Sequence, residues 1–332
     1  MDLHRRLRKG SYRGAHMDFV YIDEVQDLTM RQAALFKYIS QNFEEGFVFS
    51  GDTAQTIARG IEFRFQDIRP LFYNEFISEP RSDIKGKAKE KAYCSVSDYF
   101  QLNQNYRTHA GILKLSQSVI ELLYHFFPLS IDSLCPENNL VYGEALVLLK
   151  SVIGENAIVT IFGNSWSTGE SLNGFGAEQV ILVRDDSVKK EVSDQIGKQA
   201  LVLTLVECKG LEFQDVLLYN FFGTSPLRNQ WRVIYGYMEE LDLFHCTEHE
   251  SFPSFCSVKH KILCSELKQL YVVLTRARQR LWIYENIDIF SKPIFDYWKK
   301  LGVVQVRHLD ESLAQTMRVG SSKKEWCSCG IK

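Results

Sequence analysis

The chain has 332 residues, 45% of them hydrophobic and 24% charged, which excludes a disordered or fibrous protein and is enough for two domains. Its net charge of −2 excludes an overall basic footprint, so any contact with nucleic acid has to come from local patches. Eight cysteines without framework spacing predict reduced thiols in a nuclear or cytoplasmic rather than secreted protein, and no apolar run approaches the roughly 18 residues of a membrane span.

Residues 1–16 hold five Lys or Arg against one acid, with Leu3 and Leu7 at helical spacing. This predicts a basic helix on the outside of the first domain, with a nucleic-acid arm as the alternative. The run Phe19-Val20-Tyr21-Ile22 then reads as a short buried strand ending in Asp23-Glu24. Acids at the carboxyl end of a strand sit where open α/β sheets place ligands. The pair reads as a Walker B site, Asp23 holding Mg²⁺ and Glu24 orienting or deprotonating an attacking water; a solvated strand end is the other reading. Thr29-Met30-Arg31-Gln32 is a capping box that predicts a helix to about Asn42. A second strand, Phe47-Val48-Phe49, runs into Gly51-Asp52-Thr53-Ala54-Gln55.

Residues 78–99, with Lys85, Lys87, Lys89 and Lys91, predict a solvated linker. Asn105-Tyr106-Arg107 opens a helix expected from about Thr108 to Phe127, ended by Pro128. Strands are predicted at Ala157–Phe162, Gln179–Val183 and Leu201–Thr204, and a flexible loop between Gly163 and Gly176. Lys209-Gly210-Leu211-Glu212-Phe213 precedes a further strand, Asp215–Phe222. Residues 223–263 read as an insertion whose His245, Cys246, His249, Cys256, His260 and Cys264 match no standard zinc spacing, so ordinary His and Cys residues are the expectation. Leu267, Leu270 and Leu274 mark a core-facing helix that ends in Thr275-Arg276-Ala277-Arg278, before the strand Leu281–Tyr284. A further helix with Phe295 and Trp298, a strand at Val303–Val306 and a polar end complete the chain.

Five of these segments, from Asp23-Glu24-Val25-Gln26-Asp27 to Thr275-Arg276-Ala277-Arg278, resemble in order and spacing motifs II to VI of the UvrD/Rep branch of superfamily 1 helicases, over about residues 18–290. Ile57–Phe65 and Ser265–Tyr271 carry a narrower resemblance to the helicase-like region of large eukaryotic TPR and ankyrin repeat-containing proteins, especially plant forms. The resemblance implies an ATP and Mg²⁺ site. In it Gln55 senses the γ-phosphate, Arg107 and Arg276 are arginine fingers, Gly210 touches the γ-phosphate, Glu212 the ribose and Thr204 nucleic acid. Arg278 or Arg280 would be structural. Where the bacterial enzymes place Tyr and Trp that stack on bases, this chain has Ala58 and Gly60. Phe63 and Phe65, beside Arg59 and Arg64, are candidate substitutes, with a core position for both phenylalanines as the alternative. Between Arg107 and Lys209 there is too little chain for the large 2B insertion.

No Gly-x-x-x-x-Gly-Lys-[Ser/Thr] loop occurs in the sequence, so it reads as the carboxyl-terminal part of a helicase core, with the P-loop half expected upstream in a parent protein. The expected fold is α/β: two RecA-like P-loop NTPase-type domains, the first incomplete. Residues 1–77 would form a partial domain 1A, 100–310 a domain 2A with its insertion, and 311–332 a polar tail. The expected function is that of part of a nucleic-acid-dependent ATPase, coupling ATP hydrolysis to translocation or unwinding on single-stranded DNA or RNA. A catalytically inactive module that binds nucleic acid or protein is the alternative. An incomplete parallel sheet would leave apolar surface uncovered.

Overall fold

The computed structural model describes residues 2–9, 12–42, 45–58, 60–61, 63–74, 99–133, 135–143, 145–150, 156–163, 175–244 and 252–319. The chain divides into two compact units, one of Met1–Gln101 with Pro128–Leu134, the other of Leu102–Phe127 with Cys135–Lys332. Of the expected linker only Tyr99 is among the described residues, and the loop residues 164–174, the pair His245-Cys246, His249 and Arg59 lie outside them.

The first unit opens with helix α1 (Asp2–Lys9), whose Leu3 is exposed, and is built on two parallel strands, β1 (Val20–Ile22) and β2 (Phe47–Phe49). Between the strands lies α2 (Met30–Ala33), opened by the Thr29–Gln32 capping box. The helix expected to reach Asn42 is shorter, because the chain tightens into a 3-10 turn over Ala34–Tyr38. One face of the strand pair buries Val20 and Ile22 with Val25, Phe63 and Ile68, the last from helix α3 (Phe65–Phe72). On the other face Tyr21 and its register partner Val48 are 72% and 48% exposed, and Phe19 is 57% exposed. Parallel sheets are ordinarily covered on both sides.

The second unit is a six-stranded parallel sheet in the order β10-β5-β9-β8-β6-β7, formed by β5 (Leu146–Lys150), β6 (Gln179–Val183), β7 (Leu201–Thr204), β8 (Phe213–Tyr219), β9 (Ala277–Tyr284) and β10 (Val304–His308). A two-residue ladder, β3 (Gln104–Asn105) with β4 (Asn138–Asn139), lies apart. Every residue of β6 and β8 is buried, as befits strands with both faces covered. α4 (Ala110–Phe126) buries Ile112, Leu115, Val119, Leu122 and Leu123 and packs against α8 (Lys261–Leu274). A second core joins Ile181, Leu217 and Trp282 to α5 (Ala157–Phe162), α6 (Asp186–Ile196) and α10 (Glu311–Arg318). This α/β architecture is that of a RecA-like domain, as the sequence led us to expect.

Three expectations are corrected here. Ala157–Phe162 is a helix and not a strand: Asn156 caps it by accepting from the Ile158 amide, and Gly163, at φ 75°, stops it. The strand of this region is Leu146–Lys150 instead. Residues 311–318, expected in a polar tail, form α10, which buries Ala314 and Met317 and is fastened to the sheet by Gln179 and Arg280, donors to the Met317 and Thr316 carbonyls. The expected insertion is part of the core at least through α7 (Ile234–Glu240) and the turn before it, where Trp231, Ile234 and Met238 are fully buried against α9 (Asp288–Lys300). Among the described residues no helix is long and apolar enough to cross a membrane, and no cluster of three or more His, Cys, Asp or Glu could hold a metal ion.

Candidate functional site

In the first unit the parallel register sets Ile22 beside Phe49, so the residues after each strand meet at one end of the sheet. Asp23 Oδ1 accepts from Ser50 Oγ at 2.7 Å and from the Glu24 amide at 2.9 Å. Glu24 has a left-handed backbone, φ 51° and ψ 37°, a conformation costing an L-residue about 1–2 kcal/mol. Its carboxylate accepts from Gln26 Nε2 at 2.5 Å. Gln26 is fully buried, and its Oε1 accepts from the Asp52 amide at 3.2 Å. Asp52 in turn accepts from the Ala54 amide and, at 2.9 Å, from Gln55 Nε2. The exposed carboxylates of Asp23 and Glu24 are hard oxygen donors at a strand's carboxyl end, a set that suits Mg²⁺. Bound there, such an ion would neutralise phosphate charge.

The candidate nucleic-acid residues of this unit divide. Phe63 is 1% exposed and packs edge-on to Phe65 at 5.3 Å, so it has no face to offer a base and the stacking role is corrected to a core role. Arg64 is paired to Asp67 at 3.2 Å across the first turn of α3.

In the second unit the pairing of Phe213 with Ala277 places Glu212 and Arg276 side by side at the amino ends of adjacent strands. Arg107 Nε lies 2.5 Å from Glu212 Oε1, and Arg278 approaches the other carboxylate oxygen at 3.9 Å, so one carboxylate stands between two guanidiniums. The segment bearing Arg107 is held by Asn105, whose Oδ1 accepts from the Arg107 and Thr108 amides, and by His109, which caps α4 and bonds the Gln279 carbonyl of β9. Gly210 has φ 78°, which a side chain would strain. Thr204 is 6% exposed, and its amide and hydroxyl close a turn with Glu207, whose carboxyl is held below its ordinary range chiefly by Lys189. Arg276, expected as a finger, is 2% exposed and donates to the carbonyls of Val272 and Leu211 and to Thr275 Oγ1. It lies within the fold, binding the end of α8 to the loop before β8.

Residues 167–286, which contain Thr204, Gly210, Glu212, Arg276 and Arg278, match the family described as UvrD-like helicase C-terminal domain. The chain carries a UvrD-like helicase C-terminal domain. Its relatives include TPR and ankyrin repeat-containing protein 1 of Homo sapiens, 35% identical over 325 residues, which are 94% of this chain and 11% of that protein. An ATP-dependent helicase/nuclease of Staphylococcus haemolyticus is 28% identical over 123 residues, 34% of this chain and 9% of that protein. The chain therefore spans only a small part of the length of the relatives it matches. Asp23, Glu24, Gln55 and Arg107 lie outside the residues that match the helicase C-terminal domain, but the human relative is similar over nearly the whole chain.

Sequence reasoning missed Gln26, Asn105, His109 and Arg278 as parts of the site. Gln26 and Asn105 sit inside motifs already singled out, and that adjacency was the available signal. Nothing in the local pattern marks the His109 bond to Gln279, which joins residues 170 positions apart.

Proposed function

We propose that this UvrD-like region belongs to a nucleic-acid-dependent ATPase and supplies groups that hydrolyse ATP and answer to its hydrolysis. The observation carrying the proposal is the hydrogen-bonded run from Glu24 through Gln26 and Asp52 to Gln55, which joins a candidate water-activating acid to a candidate phosphate sensor. In this reading Asp23 holds Mg²⁺ and Glu24 takes the proton of the attacking water. Gln55 contacts the γ-phosphate, Arg107 offers a cation to phosphate charge and Glu212 accepts from the ribose hydroxyls. The name of the staphylococcal relative, an ATP-dependent helicase/nuclease, supports the same class for this chain. Single-stranded DNA or RNA is the proposed polymer. The test is ATP hydrolysis by the chain with and without single strands, compared with Glu24→Gln. Strand-stimulated hydrolysis that falls at least about a hundredfold in the variant supports the reading, and equal rates remove it.

A second reading has its own support. Arg276 and Thr204 spend their polar groups inside the fold, which favours a module that binds nucleic acid or protein without hydrolysis. Strand binding unchanged by nucleotide would select it.

A further inference from the structure

We infer that Gln26 is the positioning residue that makes the candidate catalytic acid and the loop bearing Gln55 move as one body. The inference rests on the ATPase reading for its purpose but not for its geometry.

Gln26 has none of its surface exposed. A buried carboxamide is unfavourable by a few kcal/mol unless its donor and acceptor are both used, and here both are. The Nε2 group faces the Glu24 carboxylate, which only accepts; Oε1 faces the Asp52 amide, which only donates. The partners therefore fix which way the amide points. No other side chain of this size provides a donor toward position 24 and an acceptor toward position 52: an ionised glutamate lacks the first, and methionine lacks both.

Two features show how closely the parts are fitted. A Cβ placed on Gly51 would collide with Gln26 Oε1, so the loop after β2 comes this near only because position 51 has no side chain. Asp52 then divides its carboxylate between the Ala54 amide and Gln55 Nε2, so the place of Asp52 sets the place of Gln55. The left-handed backbone at Glu24 is a strained state, which persists where its surroundings over-determine it. The Ser50 to Asp23 bond and the Gln26 to Glu24 bond do this from two sides. A displacement of Glu24 is thus passed to Gln55 through one side chain, and Gln26 itself touches no reacting group.

The experiment is hydrogen–deuterium exchange over residues 50–57 of the 332-residue chain, without nucleotide. Four proteins are compared: the unaltered chain, Gln26→Met, Gln26→Glu, and the swap of Glu24→Gln with Gln26→Glu. Gln26→Met removes both bonds and should speed exchange in this segment about three- to tenfold, the factor expected for one lost hydrogen bond. Gln26→Glu sets two carboxylates face to face and should do the same. The swap restores a donor–acceptor pair with reversed polarity and keeps an acceptor for the Asp52 amide, so exchange should return to within about twofold of the unaltered chain. Exchange in residues 19–22 reports whether the unit has simply unfolded. A side chain that merely fills space predicts no rescue by the swap, because volume hardly changes. Failure of the swap to improve on Gln26→Glu, or unaltered exchange in Gln26→Met, overturns the inference. Because no nucleotide is present, absence of ATP hydrolysis would remove the catalytic reading and leave this result standing.

Discussion

Arg107 Nε lies 2.5 Å from Glu212 Oε1, joining the residue before α4 to the residue before β8. The pair is partly exposed, at 43% and 32%, so solvent screens it and its worth to stability is about 0–1 kcal/mol. Arg107→Ala and Glu212→Ala should each lower stability toward urea by less than about 1 kcal/mol, with a coupling of similar or smaller size in the double mutant. A loss several times larger in either single variant would show that the pair holds the domain together.

Phe63 should behave as core. Phe63→Ala should destabilise the first unit by about 3–5 kcal/mol, the range for deleting a buried ring, whereas Phe63→Leu should leave single-strand affinity unchanged. Denaturation and strand binding measured on both variants check this. Weaker binding by a folded Phe63→Leu protein would restore the stacking role.

Arg184 and Glu266 form a buried bidentate pair, with bonds of 2.7 and 2.8 Å and side chains 10% and 3% exposed. Ser225 Oγ also donates to Glu266, and the Arg184 guanidinium lies over the Phe221 ring at 4.4 Å. Glu266→Ala leaves a cation buried and should cost about 3–5 kcal/mol. Arg184→Met combined with Glu266→Leu should recover most of that loss, since two apolar groups of like volume carry no desolvation penalty. Thermal melts of the three proteins decide, and a double variant as unstable as Glu266→Ala would refute it.

Glu285 is enclosed at the carboxyl end of β9, and burial pushes its carboxyl up from 4.5 to about 8 against the Phe222 and Gly223 amides, which favour the ionised form. A folded-state value above the unfolded one means that the folded protein binds the extra proton. The contribution is therefore complete below about pH 4.5 and is lost as the pH rises to about 8. The melting temperature should fall across that window in the unaltered protein and fall less steeply in Glu285→Gln. Parallel pH profiles for the two proteins would show that Glu285 is ionised throughout.

The strands β6, β7 and β8 were legible because strands buried on both faces are written as unbroken apolar runs. The same rule misread Ala157–Phe162, also an unbroken apolar run. What distinguishes it is the Asn156 cap and the Gly163 stop, together with burial of Ala157, Ile158, Ile161 and Phe162 on one side. The motifs showed which residues to suspect at Asp23, Glu24, Gln55, Arg107 and Glu212, because motif chemistry depends on residue type and local spacing.

The amino-acid sequence by itself determined the α/β class, the order of the motifs and the short-range devices, such as the capping box at Thr29 and the left-handed Gly210. Only the tertiary structure decided which polar groups are available. Arg276 and Phe63 look like surface agents in sequence but are enclosed, while Gln26 looks incidental but joins two motifs. Burial and hydrogen-bond partners are set by residues far away in the chain, as Leu211 is from Arg276. Local pattern carries the preference of a segment for its own conformation, and long-range packing alone carries the company its side chains keep.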